Sequence, residues 1–141
     1  MPEPDPSLLA AYHQTSYCAR TPRGHITIRI NESHPALDEL LAAYRKLSWC
    51  FITAWNPGSQ PRPEAANLAA QRELLADLSE RDVIVFAGES VADDGGWEPE
   101  PSALVLGLDQ AAGIQLGRRF GQIAIVVGAA GEPARLALCG A

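Results

Sequence analysis

The chain has little from which most recognisable chemistry is built. It has three cysteines, Cys18, Cys50 and Cys139, odd in number and far apart, with no C-x-x-C. That excludes a disulfide framework and a zinc ribbon, and predicts three free thiols with no metal. His13, His25 and His34 have no metal-ligand spacing. No G-x-G-x-x-G, P-loop or G-x-S-x-G occurs, and Ser59 sits instead in Pro-Gly-Ser-Gln. No apolar run nears the ~18 residues that span a bilayer, so no membrane partner is expected. Met1 to Pro6 is acidic and proline-rich, unlike a signal peptide, which makes the cytoplasm the expected location. Lysine is nearly absent, Lys46 being the single one, and the net charge of −6 repels phosphate backbones. Nucleic acid is therefore not the expected partner; it would need a local patch such as Arg20, Arg23 and Arg29, or Arg118 and Arg119.

What is present reads as one soluble α/β domain over residues 7–141 behind a loose tail at 1–6. Ser7 is placed to cap a helix over Leu8–Gln14. Thr15–Ala19 and His25–Ile30 read as strands around a Thr21-Pro22-Arg23-Gly24 turn. Ile26, Ile28 and Ile30 alternate with Thr27 and Arg29, the mark of an outer strand with one wet face. Pro35 opens a helix whose Leu37, Leu40, Leu41 and Tyr44 form an amphipathic stripe. Trp49 to Ala54 lacks alternation and reads as a strand covered on both faces. Glu64 to about Glu80 is the longest helix. Val83–Phe86, Ala103–Leu106, Ile123–Val127 and Arg135–Cys139 read as further strands, with a loop from Gly88 to Ser102. A helix capped by Asp109 reaches Phe120. This order suggests a mixed sheet with helices on both faces, with α+β as the alternative.

Polar residues at costly positions mark the candidate site. Thr53-Ala54-Trp55-Asn56-Pro57-Gly58-Ser59-Gln60 leaves a buried strand and leads into the long helix, a junction where open α/β sheets bind ligands. On that helix Asn67 and Gln71 share a face with Leu74 and Leu78, and Leu68 and Leu75 widen the stripe. Two inward amides need partners, either the backbone of the Asn56–Gln60 loop or a ligand. Trp97-Glu98-Pro99-Glu100-Pro101-Ser102 holds two carboxylates between prolines. In an extended segment Glu98 and Glu100 face one side, as an acid/base pair, a cation site or plain solvated carboxylates. Arg118-Arg119-Phe120-Gly121-Gln122 closes a helix, and an inward Arg119 could pair with Glu98 or Glu100 or bind an anion.

These segments resemble a known bacterial family, the domain of unknown function 3293. The matching pieces are Ala11-Tyr12 with Thr15 and Tyr17, then Trp49 with Phe51-Ile52-Thr53-Ala54-Trp55-Asn56-Pro57 and Ser59. Asn67, Trp97, Pro99-Glu100, Ser102, Phe120-Gly121-Gln122 and Ala124 follow. The resemblance supplies no activity, cofactor or catalytic role. The residues themselves suggest a small-molecule pocket from Trp55, Asn56, Ser59, Gln60, Asn67, Gln71, Trp97, Glu100, Ser102, Arg119 and Gln122. The tryptophans would stack a planar, nucleotide-like ligand, the amides would read its edge, and Glu100 or Glu98 would be the general base for hydrolysis or group transfer. The rival is a protein-interaction module whose aromatic loops form a flat interface. No motif names a cofactor or an oligomeric state.

Overall fold

The computed structural model describes residues 5–140, so of the loose tail expected at 1–6 the first four residues lie outside the described residues. Pro6 is not tail. It opens helix α1 (Pro6–His13), where a missing N–H costs nothing, and Asp5 rather than Ser7 is the cap, its Oδ1 accepting from the Ser7 N–H at 2.8 Å. Strands β1 (Thr15–Thr21) and β2 (Gly24–Ile28) follow, then helix α2 (Pro35–Tyr44) and strand β3 (Ser48–Ile52). After one 3-10 turn at Pro57–Ser59 come helix α3 (Glu64–Ser79), strands β4 (Ile84–Ala92) and β5 (Glu100–Leu106), helix α4 (Gln110–Arg119), and strands β6 (Ala124–Ala129) and β7 (Arg135–Leu138).

The order of elements is the one expected, and the domain is α/β with helices on both faces. The sheet, however, is not mixed. All seven strands pair antiparallel in the order β2-β1-β4-β5-β3-β6-β7. The expectation failed between β4 and β5. Gly88 to Ser102, read as a loop, is mostly strand, and Gly88↔Ser102, Glu89↔Pro101 and Ser90↔Glu100 are paired in one hairpin. Its polar residues hid it from a reading based on apolar runs. Only the 93–99 turn is irregular. There Asp94 accepts from the Gly96 N–H, and Asp93 is bound by Arg29 and Ser16.

β2 is an edge strand, and β3 is central and covered on both faces, as the alternation and its absence predict. The two edges approach each other. The Asn31 N–H donates to the Ala134 carbonyl at 2.7 Å and the Ala134 N–H to the Glu32 carbonyl at 3.1 Å, so the sheet curls.

On one face Leu37, Leu40 and Leu41 of α2 bury against Trp49, Phe51, Leu104 and Leu106. On the other, Leu74 and Leu78 of α3 and Leu116 of α4 bury against Cys50, Ile52, Val105 and Ile125. Each such aliphatic side chain removed from water stabilises by about 1.5–3 kcal/mol. α4 comes very close to the sheet through two glycines. A side chain at Gly113 would meet Cys50 Sγ, and one at Gly117 would meet Cys139 Sγ. Cys18, Cys50 and Cys139 are all free, and burial pushes the Cys50 thiol up to about 12 and that of Cys139 to about 11. Leu68 and Leu75 do not widen the buried stripe of α3; they stand outside it, 40% and 42% exposed. No helix among the described residues is long and apolar enough to cross a membrane.

Candidate functional site

The loop after β3 is tied by the side chains that follow it in sequence. Thr53 Oγ1 donates to the Pro101 carbonyl at 2.6 Å and accepts from the Trp55 N–H at 3.0 Å, which joins the ends of β3 and β5. The Ala54 N–H donates to Gln71 Oε1 at 3.0 Å. Asn56 is the hub. Its N–H donates to Asn67 Oδ1 at 2.9 Å, its Oδ1 accepts from Asn67 Nδ2 at 2.7 Å, and its Nδ2 donates to Glu100 Oε2 at 3.1 Å. Arg62 Nε also donates to Asn67 Oδ1, at 2.6 Å. Asn56 adopts φ 44° and ψ 66°, a left-handed conformation in the residue before a proline, which costs energy that this network offsets. Asparagine is the non-glycine residue that tolerates it best.

The end of α4 completes the clamp. Gly121 has φ +71°, and a Cβ there would stand 2.8 Å from Pro57 Cβ. Its carbonyl accepts from the Gly58 N–H at 2.8 Å, while Gln122 Nε2 donates to the Trp55 carbonyl at 3.2 Å. Thr53-Ala54-Trp55-Asn56-Pro57 and Phe120-Gly121-Gln122 are therefore two sides of one joint.

Beside that joint, on the α1/α2 face, lies a cavity of about 300 Å³. Leu8, Ala11 and Tyr12 of α1 cover it. The sheet supplies Tyr17, Phe51, Ser90, Ser102 and Val126. Trp55, Ser59, Trp97 and Gln122 line it from the loops, and Trp97 is 38% exposed. Glu100 engages one oxygen with Asn56, and no described residue bonds the other. Burial raises its pKa from the usual carboxylate value, partly offset by the Asn56 bond. Burial also raises the Tyr12 phenol, against the opposing effect of Ser59.

Of the expected site residues, Trp55, Asn56, Ser59, Trp97, Glu100, Ser102 and Gln122 come together around this cavity. The other four do not. Gln60 is exposed and does not line it. Asn67 and Gln71 are buried beneath the loop, where its backbone and Asn56 satisfy them. The inward amides thus have an internal answer, and the N-terminus of α3 is not the cavity wall.

Arg119 does not line the cavity; it pairs with Asp77 of α3 and stacks 5.1 Å over the Phe120 ring. Glu98 and Glu100 are not a pair either. Glu98 lies in the exposed turn, since strand pairing begins only at Glu100. Sequence reasoning missed Leu8, Tyr12, Thr15, Tyr17 and Ser90. Tyr12, Thr15 and Tyr17 were among the residues carrying the resemblance, and that was the available signal.

These features define a curled antiparallel α/β domain with a partly enclosed, aromatic-lined cavity. The family described as protein of unknown function (DUF3293) matches residues 52–125, more than half of the chain, and the chain belongs to that family. The matched span begins at Ile52, the last residue of β3, and contains the Asn56 hub, Glu100 and the Phe120-Gly121-Gln122 clamp; α1, β1 and the rest of β3 lie before it. Searches of curated proteins and of solved structures found no match.

Proposed function

We propose that the cavity binds a small molecule carrying a flat ring, with Trp55 and Trp97 as the stacking surfaces and Glu100 as the anchoring polar group. The observation that carries this reading is the cavity itself: about 300 Å³, walled by aromatic side chains, with a half-buried carboxylate that keeps one oxygen free of protein partners. Pockets for small ligands have this make-up, mostly apolar with a few placed polar groups, and this one is at the small end of their range.

The edge-reading role passes from the amides to Glu100 and Ser90. Asn56 Nδ2 donates one bond to Glu100, and Gln122 Nε2 donates to the Trp55 and Phe120 carbonyls. Of a nucleotide-like ligand, only the base suits the interior. Among the described residues, no Lys, Arg or His lines the cavity to receive phosphates. Glu100 is the one carboxylate among the described lining residues, and so the group available there to take a proton from a bound ligand. The rival interaction surface is less well supported, because Trp55 and Trp97 wall a concavity rather than a flat patch.

The test uses the indole N–H signals of Trp49, Trp55 and Trp97 in ¹⁵N-labelled protein against a library of planar heterocycles. Binding is expected to shift Trp55 and Trp97. Trp49 should stay still, being 2% exposed and packed on Gly128. A library that moves none of the three, or moves all alike, would overturn the pocket.

A further inference from the structure

The electrostatics of the same cavity narrow the class of ligand, an inference that rests on the pocket reading above. Among the described residues that line it, the only formal charge is the carboxylate of Glu100. Among the described residues no Lys, Arg or His forms an ion pair with it, although six other ion pairs occur in the molecule. Asn56 gives it one neutral hydrogen bond. The nearby cation, Arg62, is engaged by Asn67 and the Ala54 carbonyl. A carboxylate sheltered from water with no partner charge is costly, and a cation is the partner that relieves the cost.

The surrounding surface suits that cation too. Tyr12, Tyr17, Phe51, Trp55 and Trp97 all line the cavity. Aromatic faces carry negative charge density and attract organic cations, most strongly when water is excluded. Tyr17 Oη and Thr15 Oγ1 donate to the backbone carbonyls of Tyr12 and Ala11, so neither hydroxyl proton is pointed at a ligand anion. The overall charge of −6 draws cations and repels anions at long range.

We infer that the ligand of this cavity is a small organic cation, an amine, amidine or protonated amino-heterocycle, whose N–H groups meet Glu100 and whose flat or alkyl body lies against the tryptophans and tyrosines. An amidine or aminopyridine-like edge presents two parallel N–H donors, which fits the free oxygen of Glu100 and an adjacent acceptor such as Ser90.

Three probes of nearly equal size and shape separate charge from fit: benzamidine (cation), benzamide (neutral) and benzoate (anion). Each is titrated into ¹⁵N-labelled full-length protein at neutral pH, following the three indole signals. Benzamidine should bind about tenfold or more tighter than benzamide, shifting Trp55 and Trp97 but not Trp49, and benzoate should not bind. In Glu100→Gln the advantage of benzamidine over benzamide should vanish while benzamide affinity is kept. The wild-type comparison stands even without the variant. Equal affinity for benzamidine and benzamide, or binding of benzoate, would overturn the cation assignment and leave the pocket. No shift with benzamidine would also overturn it, and the pocket itself falls only if the heterocycle library fails as well.

Discussion

One face of the sheet carries two helices with opposite fates. α2 buries Leu37, Leu40 and Leu41 almost completely, at 2%, 1% and 0% exposure, and fills its half of the face. α1 has no buried residue and covers a cavity instead. The strands beneath change with them. Under α2 the sheet presents Trp49, Leu104 and Leu106; towards α1 the same strands present Ser102 and Glu100, with Ser90 on the neighbouring strand. Side chains two apart share a face, so β5 passes from Leu106 and Leu104 through Ser102 to Glu100 without leaving it. The chain stabilises itself with one half of a surface and keeps the other half open, at a cost in buried area. That is the pattern expected where function, not packing, selects the residues.

The largest effect that tests this contrast comes from the filled half. Leu41→Ala should destabilise by about 2–5 kcal/mol, since a fully buried leucine leaves a void its neighbours only partly close. Leu8→Ala in α1 should cost well under half as much, because Leu8 is only half-buried. Urea melts of the two variants compare them directly. Equal losses would mean that α1 is as much a part of the core as α2.

Next in size is the joint behind the cavity. Asn67→Ala removes the acceptor for the Asn56 N–H and for Arg62, and the donor to Asn56 Oδ1, in a site where Asn67 is 2% exposed. The expected loss is about 1–3 kcal/mol. It should be accompanied by weaker binding of any cavity ligand, as Asn56 no longer fixes Glu100. A variant as stable as the wild type would show that the strained loop does not depend on this network.

Most of the fold was legible because its signals are apolar. The uninterrupted run at Trp49–Ala54, the stripe on α2 and the alternation at Ile26–Ile30 each report directly which side is dry. The hairpin of β4 and β5 was not legible. Ser90, Ser102 and Glu100 face a cavity rather than a core, so the feature that makes them interesting also removes the hydrophobic signal. The candidate site was legible in its parts but not in its roles. Polar residues near strand ends do converge, yet Asn67 and Gln71 shape the loop from behind, and sequence periodicity cannot tell a buried amide that holds a loop from one that faces a ligand. The contribution of α1 depends on a curl that brings it over β1, β4 and β5, which no local pattern encodes.

A smaller effect is dynamic. The side-chain bonds from Thr15 to the Ala11 carbonyl and from Tyr17 to the Tyr12 carbonyl tie the last turn of α1 to β1. Among the described residues, the side-chain bonds of its first turn are those of the Asp5 cap. Amide hydrogen exchange should be fast through α1 and slow through α2, with the exchange of α1 slowed when a cavity ligand binds. Protection of α1 equal to that of α2 in the free protein would make it a fixed wall.

The smallest effect on stability, and the most informative, belongs to Glu100→Gln. Burial raises the folded-state pKa of Glu100 above its unfolded value, so the folded state prefers the protonated form. The stability this preference gives is fully present below the unfolded pKa and is lost as pH rises through the folded one. At neutral pH the ionised group is thus a mild liability, screened because the side chain is only part-buried. A glutamine side chain in its place has no charge to desolvate, and its carbonyl can still accept from Asn56 Nδ2. Glu100→Gln should therefore melt at the wild-type temperature or slightly above it at pH 7, with the difference shrinking as pH falls to about 4, near the unperturbed carboxylate pKa. This separates the two ends of a single hydrogen bond. Removing the amide in Asn56→Ala should destabilise the loop, whereas neutralising Glu100 should not. If Glu100→Gln melted lower than the wild type at pH 7, the carboxylate would be a structural member of the joint, and the open half of the sheet would lose the group proposed to anchor a ligand.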